Sequence, residues 1–442
     1  MIMLEQGLLH YWKRSVKREL LHRCPDRGVQ RSRPVIGRMR ASLRRLFLAT
    51  GAAACLLAGC VEQPVGYSRD SDPRAAGRAA TKMTARAVAP REAICALLFE
   101  SHPIGGTQLV AGVRDLLGHT VPIYGCSSRG QMSNHGVDLV SGNTGSVAVA
   151  VLAGSGISFE SVHVSSASNF RSGLLGLVAR ADPVAILLFV HADAMRGDAG
   201  ALLLRAIEDV GRTRDGGLPV IGSVADGRNK PGGRPLLYAG HEIYSDGVVA
   251  VAISGPIRAF FGAAHSLGNL GSSRTVTDVE GDTIVSLNDR APSAVIRSES
   301  SSRSIVGSPT HVGVGTGFHC AARRIVEISV DGMRLDHPVR VGAGVQMLVP
   351  RATRMESIDG DIDALLPVLA AAPRLVLMFG GASRMLKTRY QSRVHEAMLD
   401  EVAEGVPVIG LYGSGQFGPI RNAVGVLENH FHQDSVVVIG LR

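Results

Sequence analysis

Three glycine-rich segments with polar side chains recur along the chain at one spacing, P-x-x-G-x4-G. They run from Pro122 to Gly130, from Pro219 to Gly227 and from Pro407 to Gly415. A strand that ends in glycine and small polar residues can point its backbone N–H groups outward, which suits an anion or a carboxylate. The repetition predicts equivalent loops that converge on one binding site. The alternative is that the glycines only form tight turns where strands end.

The polar residues of these loops are the candidate ligand contacts. Gln131 and Gln416 follow two of the repeats, and an amide both donates and accepts hydrogen bonds. Arg384 follows a buried strand in a glycine-rich stretch, where its guanidinium could hold a carboxylate through two hydrogen bonds. The alternatives are a structural ion pair for Arg384, loop hydrogen bonds for the glutamines and turn capping for Asp226. The predicted ligand-binding residues are Gly125, Ser127, Ser128, Gly130, Gln131, Asp226, Gly227, Arg384, Ser414, Gly415 and Gln416.

Catalysis has weaker support. Cys126 is the candidate nucleophile for a hydrolase, but no His stands near it in a recognisable acid–base spacing. We therefore predict no catalytic residue and no cofactor.

A metal site is also not predicted. Loosely spaced histidines more often belong to the core or the surface, and the acidic run lacks the closing Glu of a calcium loop. The residues concerned are His319, Cys320, His430 and His432, and, in the acidic run, Asp359, Asp361 and Asp363.

The elements that must position the loops have an α/β pattern. Buried-strand runs (Ile94–Phe99, Ala185–Val190 and Leu375–Phe379) are each followed by a helical pattern and then by a repeat. We expect mixed sheets with repeated strand–helix–strand units. The 442 residues suggest two or three domains, and 45% hydrophobic with 19% charged residues excludes collagen-like or disordered chains.

The positive charge of the chain is confined to its beginning. The formal charge is +9, and residues 1–60 contain 12 Lys and Arg against 3 Asp and Glu. The remaining residues therefore balance at 35 of each sign. No basic surface is left for a nucleic acid, so we predict no nucleic-acid partner.

Residues 39–59 have the parts of an export signal, with a basic start, an uncharged stretch and small residues at its end. Leu57–Cys60 is similar to a bacterial lipobox, which predicts lipidation of Cys60 and a membrane-anchored location in the cell envelope. Arg44–Leu48 is similar to a twin-arginine pattern. A generic secretory signal is the alternative.

Residues 1–38 are interpreted as a start-site over-extension, and the alternatives are an amphipathic basic segment at the membrane surface or a long basic leader. Residues 60–90 lack hydrophobic periodicity and are interpreted as a flexible tether. After Cys60 only Cys95, Cys126 and Cys320 remain, an odd number that predicts no disulfide framework.

Five segments from the first repeat to the C-terminus resemble the FIST family (F-box and intracellular signal transduction proteins) in family order. They are Pro122–Met132, Arg274–Val295, Phe379–Met385, Gly410–Ile420 and His432–Leu441. The resemblance implies an N-terminal module over residues 91–285 and a C-terminal module over residues 286–442, packed together. It also implies a sensory role with amino acids as ligands. Three positions differ, because the family's two loop glutamates are here Gln131 and Gln416 and its C-terminal cysteine is Gly381.

The resulting hypothesis is a lipid-anchored envelope protein that senses a small polar ligand, an amino acid or small carboxylate. Since no output domain fits in the chain, signalling would need a partner protein. The alternatives are a scaffold without a ligand and, with less support, a hydrolase that uses Cys126.

Overall fold

The computed structural model describes residues 65–442 except 85–87, 90–91, 102–105, 135, 140–144, 228–233, 266, 302–308, 316–319, 337, 351–364, 366, 383–404, 422–424 and 434. The described residues belong to one compact unit, Gln63–Arg442.

Three mixed six-stranded sheets share one plan. The first has the order β1 (Val65–Ser68), β6 (Val147–Ala153), β2 (Ala93–Glu100), β3 (Ile123–Ser127), β10 (Leu237–Gly240) and β11 (Glu242–Tyr244). The second has the order β7 (Ser158–Val164), β12 (Val248–Ser254), β8 (Ala185–Val190), β9 (Val220–Val224), β22 (Gly415–Arg421) and β23 (Leu427–His432). The third has the order β13 (Ala259–His265), β24 (Ser435–Leu441), β20 (Leu375–Gly381), β21 (Val408–Gly413), β4 (Gly130–Ser133) and β5 (Gly136–Leu139).

A parallel pair lies at the centre of each sheet: β2 with β3, β8 with β9, and β20 with β21. Each pair is followed in the chain by a hairpin that pairs with a different sheet. Hairpin β4–β5 follows β3 but pairs with β21, β10–β11 follows β9 but pairs with β3, and β22–β23 follows β21 but pairs with β9. This cyclic exchange ties the three sheets together and gives them pseudo-threefold symmetry.

The sheets meet at one hydrophobic core. Alternate residues of β2, β8 and β20 point to it, as the period of two in a strand requires. At its centre the rings of Phe99, Phe189 and Phe379 pack pairwise with centroids 5.9, 6.1 and 6.4 Å apart. These phenylalanines occupy matching positions in the three buried runs, so the sequence repeat is also a repeat in space.

Helices cover the outer faces of the first two sheets. Ala96 and Leu98 face the helices α1 (Pro73–Thr84) and α2 (Thr107–Leu117). Ile186 and Leu188 face the helices α3 (Phe170–Ala181) and α4 (Gly197–Gly211). No helix in the described part of the chain is long and apolar enough to span a membrane. A further helix among the described residues, α5 (Pro292–Ser301), follows the strand Thr283–Leu287 in the chain. The observed α/β architecture confirms the predicted mixed sheets and strand–helix–strand units.

The segment predicted as a flexible tether differs in the structure. Its residues 65–68 form β1 on the edge of the first sheet, and α1 packs on α2. A Cβ atom on Gly77 would lie 2.4 Å from the Leu109 carbonyl oxygen, and one on Gly112 would lie 2.1 Å from that of Arg74. Helices this close require small residues, so α1 buries Ala76 and Ala80 on one face although the helix as a whole is not hydrophobic. That is why composition alone misjudged it.

The predicted boundary between residues 285 and 286 falls inside a strand. It cuts β15, which belongs to a closed six-stranded barrel. In barrel order the strands are β14 (Leu267–Glu280), β15 (Thr283–Leu287), β18 (Met333–Leu335), β17 (Ala321–Ile328), β16 (His311–Val314) and β19 (Gly344–Pro350). Strands from both sides of the boundary also share sheets, as β4 with β21 and β22 with β9. The two expected modules are therefore interleaved.

Candidate functional site

The three P-x-x-G-x4-G segments meet where the parallel strands end. Their backbones form a closed ring: Arg129 N donates to Tyr412 O at 2.9 Å, Ser414 N to Val224 O at 3.1 Å, and Asp226 N to Ser127 O at 3.1 Å. We call residues 127–129, 224–226 and 412–414 the loop ring. The ring confirms the prediction that the repeats converge. It also shows that the prediction of outward N–H donors is wrong for these three groups, because each is bonded to the next loop.

The first glycine of each repeat has a specific steric reason. A Cβ atom would lie 1.9 Å from the Leu98 carbonyl oxygen at Gly125, 1.8 Å from that of Leu188 at Gly222, and 2.1 Å from that of Met378 at Gly410. Each glycine lies within its strand, opposite the residue whose carbonyl it approaches. The tight-turn interpretation is therefore wrong for these glycines: they allow two parallel strands to come close.

Three side chains at one position of the repeat converge on the ring: Arg129, Asp226 and Ser414. The Ser414 hydroxyl donates to Asp226 Oδ2 at 2.8 Å, and Arg129 Nε lies 3.9 Å from the same oxygen. The Asp226 side chain is 1% exposed, the Arg129 side chain is 21% exposed, and Ser414 is exposed. A buried carboxylate therefore lies beside an exposed serine and a partly exposed arginine side chain.

Arg129 was not among the predicted ligand-binding residues. The sequence indicates Arg129 only through its position: it precedes the second glycine of its repeat, as Asp226 and Ser414 do in theirs. A side-by-side alignment of the repeats would have found it.

Ser127 and Ser128 lie at the ring but are buried. Ser127 Oγ accepts from Leu236 N at 2.8 Å, which joins β3 to the segment before β10. Ser128 Oγ lies within hydrogen-bond distance of Glu100 O and Gly130 O. Both hydroxyls thus fix the loops, and the geometry favours a structural role for them.

Gln131 and Gln416 occupy matching positions, and both are fully buried. In the orientation that satisfies the Gln131 amide, its oxygen accepts from Ser101 N at 2.8 Å and its nitrogen donates to Ser146 O at 3.2 Å. Ser128 Oγ and Ser146 Oγ complete this network. Such a saturated amide favours loop hydrogen bonding over ligand contact.

Gln416 is bonded much more weakly. Its Nε2 donates to Gly413 O at 3.4 Å, and its Oε1 has no hydrogen-bond partner among the described residues. Two of the remaining predicted glycines start exchanged hairpins, because Gly130 begins β4 and Gly415 begins β22. A Cβ atom on Gly227 would lie 2.4 Å from the carbonyl carbon of Arg234.

Cys126 lies in the hydrophobic core with no exposed surface. Burial, with the nearby Glu100 carboxylate, raises the pKa of its thiol well above the ordinary value. A thiol held neutral in the core is a poor nucleophile. The geometry therefore gives the hydrolase alternative no support through this residue.

His432 and His430 lie on β23, with ring centroids 6.5 Å apart. Burial lowers the pKa of His432 to about 3, and its Nε2 lies 3.1 Å from Gly418 O, so the ring is neutral and hydrogen-bonded. Cys320 Sγ lies 3.1 Å from His265 Nε2, and burial raises the thiol's pKa to about 12. Among the described residues no three His, Cys, Asp or Glu side chains are grouped to hold a metal ion.

Several sequence-based predictions concern residues outside the described part of the chain. These are the carboxylate-binding role of Arg384, lipidation of Cys60, the leader and signal over residues 1–59, and the acidic run Asp359, Asp361 and Asp363. They stay predictions.

Comparison with known proteins finds a family match for part of the chain. Residues 94–290 match the model of the FIST N domain. This part of the chain is therefore similar to a FIST N domain. The first two P-x-x-G-x4-G segments lie inside it and the third lies beyond it. A FIST domain is a sensory domain of signal transduction, in a family that is generally non-catalytic.

Two curated relatives are similar over the same length: uncharacterized proteins of Mycobacterium bovis and Mycobacterium tuberculosis. Each is 26% identical over 211 residues, which are 42% of this chain and 53% of the relative. The chain thus spans about half the length of the curated relatives it matches. Among solved structures, a cyanuric acid hydrolase from A. caulinodans covers 43% of this chain and 71% of its own at 11% identity. Its TM-score is 0.22, too low to carry an argument.

Proposed function

We propose that this protein is a lipid-anchored sensory protein of the cell envelope, which binds a small polar ligand at the loop ring and signals to a partner protein. The observation that carries the proposal is the convergence of Arg129, Asp226 and Ser414 from three sheets onto one point with solvent access. The FIST N domain supports the sensory role. The lipobox-like Leu57–Cys60 supports the anchor.

The ring is suited to sensing because each of its loops belongs to a different sheet. Three backbone hydrogen bonds connect those loops in a cycle, so a ligand that contacts two loops would favour one arrangement of the sheets over others. A difference in affinity between two arrangements is what a sensor needs in order to transmit binding. The exchanged hairpins start directly at the ring, at Gly130 and Gly415, and would carry the change outward.

A thermal-shift screen of the purified full chain tests ligand binding. The library contains amino acids, small carboxylates, sugars and nucleosides. A ligand at about 100 times its Kd stabilises the folded state by about 2.7 kcal/mol. We expect a hit whose stabilisation is lost in Ser414→Ala and kept in the control Ser172→Ala, an exposed serine of α3 whose hydroxyl donates to Asn169 O. A hit that survives Ser414→Ala would place the ligand elsewhere, and an absence of hits would favour a scaffold.

The anchor is tested separately in a bacterial host. Metabolic labelling with a radioactive fatty acid should label the wild-type chain and leave Cys60→Ser unlabelled. Label on the Cys60→Ser variant would contradict the proposed lipidation site.

A further inference from the structure

We infer that the ligand of the loop ring is an anion, and that Arg129 is the residue that binds it. This inference rests on the proposed function, because it names the class of ligand for the same site. It departs from the amino-acid preference implied by the family resemblance, since it assigns no binding partner to an ammonium group.

Asp226 is the acidic side chain at the ring, and its side chain is 1% exposed. Its Oδ2 accepts from the Ser414 hydroxyl at 2.8 Å. An ammonium group on a ligand would have to displace that hydroxyl and enter a space closed to solvent. Asp226 therefore serves the ring itself and orients Ser414.

Gln131 and Gln416 lie beside the ring, where a glutamate would supply a negative charge, but both side chains are neutral amides. Glu100, at the end of β2, is buried and accepts from the Tyr238 hydroxyl at 3.0 Å. The described residues of the ring thus offer no exposed carboxylate to a cation.

The Arg129 side chain is the partly exposed cation of the ring, at 21% exposure. Its backbone N–H is fixed by the ring bond to Tyr412 O, so the side chain starts from a rigid position. The nearest carboxylate oxygen in the described structure is 3.9 Å from Nε, beyond a normal hydrogen bond. A guanidinium has five N–H donors in a planar fork that matches a carboxylate or phosphate. It is therefore available for an incoming anion.

The test uses probes that share a skeleton and differ in charge: propionate, propionamide and propylamine, and then succinate, succinamide and 1,4-diaminobutane. Binding to the full chain is measured by calorimetry at constant ionic strength. We expect the carboxylates to bind more tightly than the amides and the amines not to bind. Arg129→Gln should weaken carboxylate binding about tenfold or more, as expected for the loss of a charge-assisted hydrogen bond. Arg129→Lys should fall between, because it keeps the charge and loses the fork.

The matched control is Arg196→Gln. Arg196 is 79% exposed and pairs with Asp193 at 3.0 Å on a different segment, so its loss should leave carboxylate affinity unchanged. Circular dichroism verifies that each variant folds, and the Lys variant keeps the test decisive if the Gln variant does not.

The outcomes separate the two levels of the argument. Carboxylate binding that is equal in Arg129→Gln and the wild type would overturn the anion inference. Amine or amide binding that depends on Ser414 would overturn it too, while leaving the proposed function intact. No binding by any probe, together with no hit in the thermal-shift library, would overturn both.

Discussion

The Ser414 hydroxyl donates to Asp226 across 2.8 Å, although 188 residues separate the two in the chain. Each residue occupies the same position of its own P-x-x-G-x4-G segment, so the bond joins equivalent points of two repeats. Arg129 completes the set at 3.9 Å. The candidate site is therefore a product of the pseudo-threefold arrangement.

A double-mutant cycle on this pair should reveal its coupling. Ser414→Ala removes the donor and Asp226→Ala removes the acceptor of this hydrogen bond, so the double variant should lose less stability than the sum of the single variants. We expect a coupling free energy of about 1–2 kcal/mol, because the acceptor is a charged and buried group. Chemical denaturation of the four proteins measures it. Strict additivity would show that the bond contributes nothing in solution.

The glycines of the repeats should be irreplaceable. Gly222→Ala places a Cβ 1.8 Å from the Leu188 carbonyl oxygen, which only a shift of one parallel strand can relieve. We expect a loss of more than about 4 kcal/mol or failure to fold. Gly176→Ala is the control, since this glycine lies within α3 with its nearest atom at 3.5 Å and the change should stabilise by about 0.5–1 kcal/mol. The soluble yield and the denaturant concentration at the unfolding midpoint are measured for both variants and compared with the wild type.

The two glutamines should respond differently to one substitution. Gln131→Met breaks a network of four residues and leaves buried polar groups unpaired, so we expect a loss of about 2–4 kcal/mol. Gln416→Met removes one long hydrogen bond and an oxygen without a described partner, so we expect a change within about 1 kcal/mol. Thermal and denaturant unfolding compare them. Equal losses would show that Gln416 has a strong partner in solution.

His432 should make the protein sensitive to acid. Its pKa is about 3 in the folded state, against an ordinary value near 6.5. A base with a depressed pKa contributes stability that is present above pH 6.5 and is lost as pH falls toward 3. At pH 5 the loss relative to pH 7.5 should be about 2 kcal/mol from this residue.

The same pH comparison on variants isolates His432. His432→Gln should lose about 2 kcal/mol less than the wild type between pH 7.5 and 5, whereas His119→Gln, at an exposed position, should behave as the wild type. Parallel pH profiles for wild type and His432→Gln would contradict the assignment.

The sequence by itself determined the repeating elements. The apolar runs ending at Phe99 and Phe379 and the helical pattern before Pro122 are local signals, since alternation and periodicity depend only on neighbouring residues. The spacing of the glycines also predicted that three loops would be equivalent. Composition correctly separated the charged beginning from a balanced remainder, but it misjudged residues 65–84, whose packing relies on small side chains.

Only the tertiary structure decided how the repeats combine. Pairing of β4 with β21 and of β22 with β9 joins segments hundreds of residues apart, and no local pattern specifies which sheet receives a hairpin. The same pairing buries Gln131 and Asp226 and leaves Arg129 and Ser414 accessible. Residue types name candidates for a site, but burial and long-range hydrogen bonds decide which of them a ligand can reach.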